Sequence, residues 1–357
     1  MRRCCDLFVL CCALLAACGG GGGGGGGSAP PPTTTLYVRG SGNDDDLGTS
    51  PDQALKTVAR AAQLLAPAVT VYVGPGHYDG QVDVSGVDST AQAPIQLIAD
   101  SEGAHTGDAP GDVILDAGGD LFAVRLSSTS YVTIDGFTIT GATGTDSSGI
   151  QVRSGSSNVT IRNCVISNAS GPAYGIRVQN SNDVMIFNNL LFDNNIGIRI
   201  AGSQGARILN NSVVDNNNTG ISIAALSNVP ATGATLRNNI VQDSRNNVNI
   251  LVDDGPPSSR PGYSGDFDLS FASPLADQTK TYRPAVIRGN NDVNEDALFV
   301  DTDNGDFHLA ANSPAINAGT GTIDADLLAE LFQRSTTADG AADTPPVDMG
   351  YHYPAMP

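Results

Sequence analysis

The chain has 357 residues, enough for one elongated domain with caps, and its formal charge of −19 argues against nucleic acid or an anionic membrane surface as the main partner. Trp is absent and aromatic residues make up only 5%, which suits a thin aliphatic core better than a compact globule. Asp outnumbers Glu by 34 to 3 and Lys occurs only at Lys56 and Lys280, so turn formers dominate and helix formers are scarce.

Arg2 and Arg3 precede an apolar run from Leu7 to Ala17, too short to span a membrane and laid out as a signal peptide. The run ends Leu15-Ala16-Ala17-Cys18, which resembles a bacterial lipobox. That resemblance makes Cys18 the lipidated first residue of the mature chain. Gly19 to Gly27 and then Ser28-Ala29-Pro30-Pro31-Pro32 form a tether with a flexible and a stiffer section. The expected layout is a signal peptide over 1–17, and an anchor with tether over 18–34. Contact with the membrane is expected through the lipid alone, and Gly19 after the Cys points to the outer membrane or cell surface. Cys4, Cys5, Cys11 and Cys12 lie in the leader, so Cys164 alone remains for the domain. No internal disulfide or thiolate metal cluster is expected.

Residues 35–110 read as an N-terminal cap and first coils. Leu36 to Val38 is a short strand, and 42–49 a loop. Ser50 is expected to cap a helix with Pro51 at its first position, with Leu55, Val58, Ala62 and Leu65 as its apolar stripe. Thr70 to Val73 reads as a strand and Gly74 to Tyr78 as a turn. Asp44, Asp45 and Asp46 are the candidate metal ligands, with Ca2+ as the cation, because Asp oxygens two residues apart can share one. The acidic residue that would close such a loop is missing. His77, His105, His308 and His352 are too scattered in sequence to form a metal site.

Between Val124 and Val252 two phrases recur. The first is Val124-Arg125-Leu126, then Gly149-Ile150-Gln151-Val152, Gly175-Ile176-Arg177-Val178, Gly197-Ile198-Arg199-Ile200, Gly220-Ile221-Ser222-Ile223 and Asn249-Ile250-Leu251-Val252, at steps of 26, 26, 22, 23 and 29 residues. The second includes Val132-Thr133-Ile134-Asp135-Gly136, Val159-Thr160-Ile161-Arg162-Asn163 and Ala206-Arg207-Ile208-Leu209-Asn210. Apolar and polar residues alternate, the period of a half-buried strand. One coil cannot bury its apolar face alone, so coils stack at about 4.8 Å into a solenoid with three short strands per coil over 111–252. Asn163, Asn188, Asn210 and Asn238, with Gly136 in the first copy, mark a sharp left-handed bend. The Asn residues after them, Asn189, Asn211 and Asn239, are placed to bond from coil to coil. Cys164 falls in that column as a small core residue.

Gly-Ile-x-Val followed by Asn158-Val159-Thr160-Ile161-Arg162-Asn163-Cys164-Val165-Ile166 resembles the right-handed parallel β-helix proteins of the pectate-lyase-like superfamily. The resemblance implies an all-β, right-handed parallel β-helix with a helix-containing N-terminal cap and an irregular C-terminal cap. The opening segment resembles the N-terminal cap of many secreted β-helix proteins. In the 253–357 region, 253–280 reads as a long excursion and 323–334 as a short helix. Ala297-Leu298-Phe299-Val300-Asp301, Ser313-Pro314-Ala315-Ile316-Asn317-Ala318-Gly319 and Val347-Asp348-Met349-Gly350-Tyr351 resemble the closing region of bacterial surface β-helix proteins.

With Ile and Val inward, the x residues form one outward row: Arg125, Gln151, Arg177, Arg199, Ser222 and Leu251. The column of Ala123, Gly149, Gly175, Gly197, Gly220 and Asn249 is expected beside it as a flat outward shelf. Stacked Arg177 and Arg199 call for a counter-charge, from Asp193 or from an anionic ligand. By resemblance, β-helix lyases and hydrolases work on this face. The resemblance implies Arg125, Gln151, Arg177 and Arg199 as substrate-binding residues. It casts Arg177 or Arg199 as base and Tyr174 as proton donor. The motifs of polygalacturonase-type hydrolases are absent. The expected protein is a monomeric surface lipoprotein that engages a polysaccharide, acidic in the charge-matched case. A uronate polysaccharide lyase and a non-catalytic adhesion or structural protein are the alternatives.

Overall fold

The computed structural model describes residues 33–167, 173–244, 248–252, 263–271 and 289–354. The expected leader, Cys18 and nearly all of the tether lie outside the described residues. The rest is the expected solenoid, built of three parallel sheets with one strand from each per coil. The first sheet stacks Val82–Ser85, Phe122–Ser127, Ser148–Arg153, Tyr174–Gln179, Ile196–Ala201, Thr219–Ala224 and Ile250–Val252. The second runs from Thr34–Val38 through Val132–Asp135, Thr160–Arg162 and Arg207–Leu209 to Tyr263–Asp266. The third runs from Gly76–Asp79 to Leu269–Phe271. Identical residues stack in register, with Ile150 on Val124 and on Ile176, and Ile198 on Ile221. All five are fully buried, so each β-branched chain closes the core of its neighbours.

The ends of the coils differ from the expectation in three places. Gly76–Asp79 is the opening strand of the third sheet rather than part of a turn. Ser50 caps no helix. Pro51–Gln53 is a single 3-10 turn, and the helix, Val58–Ala62, is capped by Thr57, whose Oγ1 accepts from Arg60 N at 3.1 Å. Leu55 is held extended between them because its N–H donates to Tyr37 O and its carbonyl accepts from Arg39 N. Within the expected excursion, Tyr263–Asp266 and Leu269–Phe271 add two more strands to the stack, while 253–262 and 272–288 lie outside the described residues.

The glycine column faces inward, which corrects the outward shelf. A Cβ on Gly197 would stand 2.4 Å from Val213 Cγ1, and one on Gly220 2.4 Å from Val241 Cγ1, both side chains of the third sheet inside the coil. Alternation breaks at the start of each first-sheet strand, so two successive residues point in and the residue before the glycine points out. The outward neighbours of the Arg row are therefore Phe122, Ser148, Tyr174, Ile196 and Thr219. Gly197→Ala is expected to lower stability by about 1–3 kcal/mol through overpacking. An unchanged urea midpoint would return the column to the surface.

Both asparagine columns form. Asn163, Asn188, Asn210 and Asn238 take φ of 56, 52, 52 and 58°, the left-handed bend. Inside it, Asn189 Nδ2 donates to Asn211 Oδ1 at 3.0 Å, Asn211 Nδ2 to Asn239 Oδ1 at 3.0 Å, and Asn239 Nδ2 to Asp268 Oδ1 at 2.8 Å. Cys164 heads the column and its N–H donates to Asn189 Oδ1 at 3.0 Å. A further pair joins at another corner, where Asn194 N donates to Asn216 Oδ1 at 3.1 Å.

The C-terminal region returns along the flank of the stack. Asn188 Oδ1 accepts from His352 N at 2.6 Å and Asn188 Nδ2 donates to His352 O at 3.0 Å. Asn210 Nδ2 donates to Asp348 O at 3.2 Å, Asn238 Nδ2 to Thr320 O at 3.0 Å, and Asn163 Nδ2 to Glu330 Oε1 at 2.9 Å. The expected short helix is present as Ala325–Leu331, and its Leu327 and Leu331 pack on Phe187 and Leu209 outside the second sheet. Phe307 and Tyr351 pack on Leu190 and Val214 outside the third. The C-terminal region thus covers parts of two outer faces.

Candidate functional site

The Arg row forms as one column on the first sheet. Register places Asp83 beside Arg125, Arg125 beside Gln151, Gln151 beside Arg177, Arg177 beside Arg199, then Ser222 and Leu251. Each step is about 4.8 Å, so the row is about 29 Å long. Over its first half lies a cleft of about 250 Å³. Phe122, Arg125, Gln151, Arg153, Arg177 and Gln179 form its floor, and Leu121, Thr145 and Asp146 its rim. No described C-terminal residue lines it.

Each cleft arginine rests on an aromatic ring three residues earlier in its own strand. The Arg125 guanidinium lies 4.3 Å from the Phe122 ring centre, and that of Arg177 4.8 Å from Tyr174. The same Tyr174 ring is 5.8 Å from the Arg199 guanidinium. The local break in alternation makes this contact, because it leaves the residues three apart on the same outward face. The three residues named as catalytic candidates are therefore brought together, and Arg125 and Gln151 join them along the same column.

Counter-charges come from two residues the sequence reading did not select. Asp83 accepts from Arg125 Nε at 3.1 Å and also pairs with Nη2. Asp146 Oδ1 lies 3.2 Å from Arg177 Nη1, and the Asp146 carbonyl accepts from the same nitrogen at 3.0 Å. Asp83 was legible: Val82-Asp83-Val84 repeats the apolar-x-apolar phrase one coil upstream. Asp146 carried no such signal, since it sits in a connecting loop. Arg177 is deeply set, with its side chain only 11% exposed. Its Nε, the Nε of Arg199 and the Oγ of Ser148 are buried and have no hydrogen-bond partner. Buried donors without acceptors are costly, so this face holds unmet capacity to bind oxygen.

The candidate calcium residues are arranged differently. Asp44 Oδ1 accepts from Lys56 N and Thr57 N, each at 2.9 Å, and its Oδ2 from Thr57 Oγ1 at 2.8 Å. Both oxygens are thus engaged in fixing the start of the helix, and Asp45 is exposed to solvent. The ligand-type cluster among the described residues is instead His77, Asp79 and Asp116, with ligand atoms within 4.8 Å of one another. It lies on the third sheet, away from the Arg row, and corrects the view of His77 as isolated. Exposed His77 Nε2 is 3.2 Å from both carboxylates, an arrangement that an ion pair alone satisfies. Cys164 is an inert core thiol, which burial pushes up to about 12.

Residues 116–257 match the family described as the right handed beta helix region. No curated protein matches the chain significantly in sequence. Among solved structures, the chain is similar to pectate lyase Pel9A, with a TM-score of 0.51 and 15% identity over 81% of this chain and 93% of that one. It is similar to the lacto-N-biosidase from Eubacterium ramulus, also with a TM-score of 0.51 and 15% identity, over 66% of this chain and 56% of that one. At this identity the likeness is one of architecture, and the chain carries a right-handed parallel β-helix of the pectate-lyase-like fold.

Proposed function

We propose that the first-sheet face binds polysaccharide, with an acidic chain as the best match. The observation that carries this is the set of buried, unpartnered donors, Arg177 Nε, Arg199 Nε and Ser148 Oγ, beside the half-buried Tyr174 ring. Guanidinium donors suit carboxylate oxygens, and the ring offers an apolar face to a sugar. The long straight row suits a polymer better than a single sugar. Its fold relative named a pectate lyase acts on a polymer of that kind. Arg177→Ala is expected to weaken binding of oligogalacturonate about ten- to hundredfold, the range for a hydrogen bond to a charged group. Calorimetric titration reads this directly, and equal affinity in the two proteins would remove the proposal.

A second reading, a uronate lyase working by β-elimination, is favoured by the meeting of Tyr174 with both Arg177 and Arg199. There the guanidinium groups would neutralise the uronate carboxylate and receive the C5 proton, and Tyr174 would protonate the leaving oxygen. It ranks second because a guanidinium keeps its proton at neutral pH and makes a poor base. Ultraviolet absorbance of the unsaturated product, with and without calcium, separates the readings. A rise lost in Arg177→Ala would make the protein a lyase.

A further inference from the structure

We infer that Asp146 is a built-in counter-ion that occupies the anion position of Arg177 and must swing away when an anionic ligand enters the cleft. The inference rests on the binding role of this face and adds its regulation.

The two partners of this ion pair are held very differently. The Arg177 side chain is nearly buried, rests on Tyr174 and projects from a strand paired on both sides. Asp146 stands at the tip of a connecting loop with its side chain 66% exposed. The loop is fastened at each end, where Thr143 N donates to Asp120 O at 2.9 Å and Ser148 N donates to Leu121 O at 2.9 Å. Between these points Gly144, Thr145 and Asp146 are exposed. Gly144 has φ of 100° and Asp146 itself 64°, a left-handed conformation that costs a non-glycine residue energy. Backbone strain of this kind persists where surrounding contacts hold it, and here the contact is with Arg177.

The chemistry follows from that asymmetry. A ligand carboxylate and the Asp146 carboxylate compete for the same guanidinium edge, since both prefer its planar donors. An exposed ion pair is weak and readily exchanged, so Asp146 yields to a ligand that also fills the cleft. Until then it keeps the deeply set Arg177 charge compensated, which a nearly buried guanidinium requires. It also sets a threshold, because a rim carboxylate repels anions that offer charge and nothing more. Asp83 does not share this role. It comes from a strand, in register with Arg125, and has no loop to carry it away.

The test is calorimetric titration of the wild-type domain and Asp146→Asn with tetragalacturonate and with a neutral tetrasaccharide of similar length. The asparagine keeps the shape and the main-chain carbonyl contact while removing the charge. Asp146→Asn is expected to bind tetragalacturonate about two- to fivefold more tightly, the range of an exposed ion pair. That gain should shrink as salt is raised, and the neutral probe should show none. Equal affinity for tetragalacturonate in the two proteins, with binding intact, would overturn the counter-ion role and leave the binding face standing. Weaker binding by Asp146→Asn would make Asp146 a ligand contact and also overturn it. Failure of both proteins to bind either probe would remove the binding role of the face, and the inference with it.

Discussion

Asn211→Leu should lower the free energy of unfolding by about 3–5 kcal/mol, the sum expected for several buried hydrogen bonds and the partners they leave behind. Asn211 is fully buried, and its amide serves three coils. Nδ2 donates to Ile186 O at 2.9 Å, to Leu209 O at 3.0 Å and to Asn239 Oδ1 at 3.0 Å. Oδ1 accepts from the main-chain N–H of Asn189 at 2.9 Å and from its Nδ2 at 3.0 Å. Leucine has the right size and supplies none of these bonds. The stranded groups are main-chain atoms at a tight bend, where water has no access. Exposed Asn290→Leu is the control, and should stay within about 0.5 kcal/mol of the wild type. Guanidinium titration of the three proteins decides the matter. A loss below about 1 kcal/mol for Asn211→Leu would make the ladder a by-product of packing rather than a source of stability.

The opposite sign is expected for Asp268→Asn, which should stabilise the protein at neutral pH by about 1–3 kcal/mol. Asp268 ends the ladder in the place of the next asparagine. Its Oδ1 accepts from both nitrogens of Asn239 at 2.8 Å, while its buried Oδ2 has no partner. Burial pushes its carboxyl up to about 8, with the nearby Asp292 adding to the rise and Arg237 opposing it. The folded state therefore holds this proton more tightly than the unfolded chain. The stability this contributes is complete below the ordinary carboxylate value and is lost as pH climbs through about 8. An asparagine has no proton to lose. By the pattern of Asn211, its amide would donate to main-chain carbonyls at the same corner. The difference in melting temperature between variant and wild type should widen from pH 4 toward pH 8. A difference that stays constant over that interval would show that Asp268 carries no penalty.

The repeat was legible because each coil needs the same inward residues, and register then follows from stacking Ile150 on Val124 and Ile176. Asp83 escaped because its partner Arg125 lies 42 residues away, beyond the regular step. Asn194 and Asn216 were in phase 22 residues apart, and their bond could have been anticipated. The glycine column was misplaced because strict alternation was assumed through a point where the backbone breaks it. Only the collision of a hypothetical Cβ with Val213 or Val241 reveals its direction. Asp146 was illegible for a different reason. A loop residue meets a side chain one coil away through conformation, and no periodicity encodes that.

Stacked coils ordinarily behave as a one-dimensional array in which each unit feels only its two neighbours and the ends fray first. The C-terminal flank changes that connectivity. By bonding to Asn163, Asn188, Asn210 and Asn238, it touches four successive coils at once. It acts as a splint. No one of those coils can open without breaking contacts that the others share, so the middle of the stack melts as a block. The Arg row runs across the same coils, and its spacing inherits that rigidity.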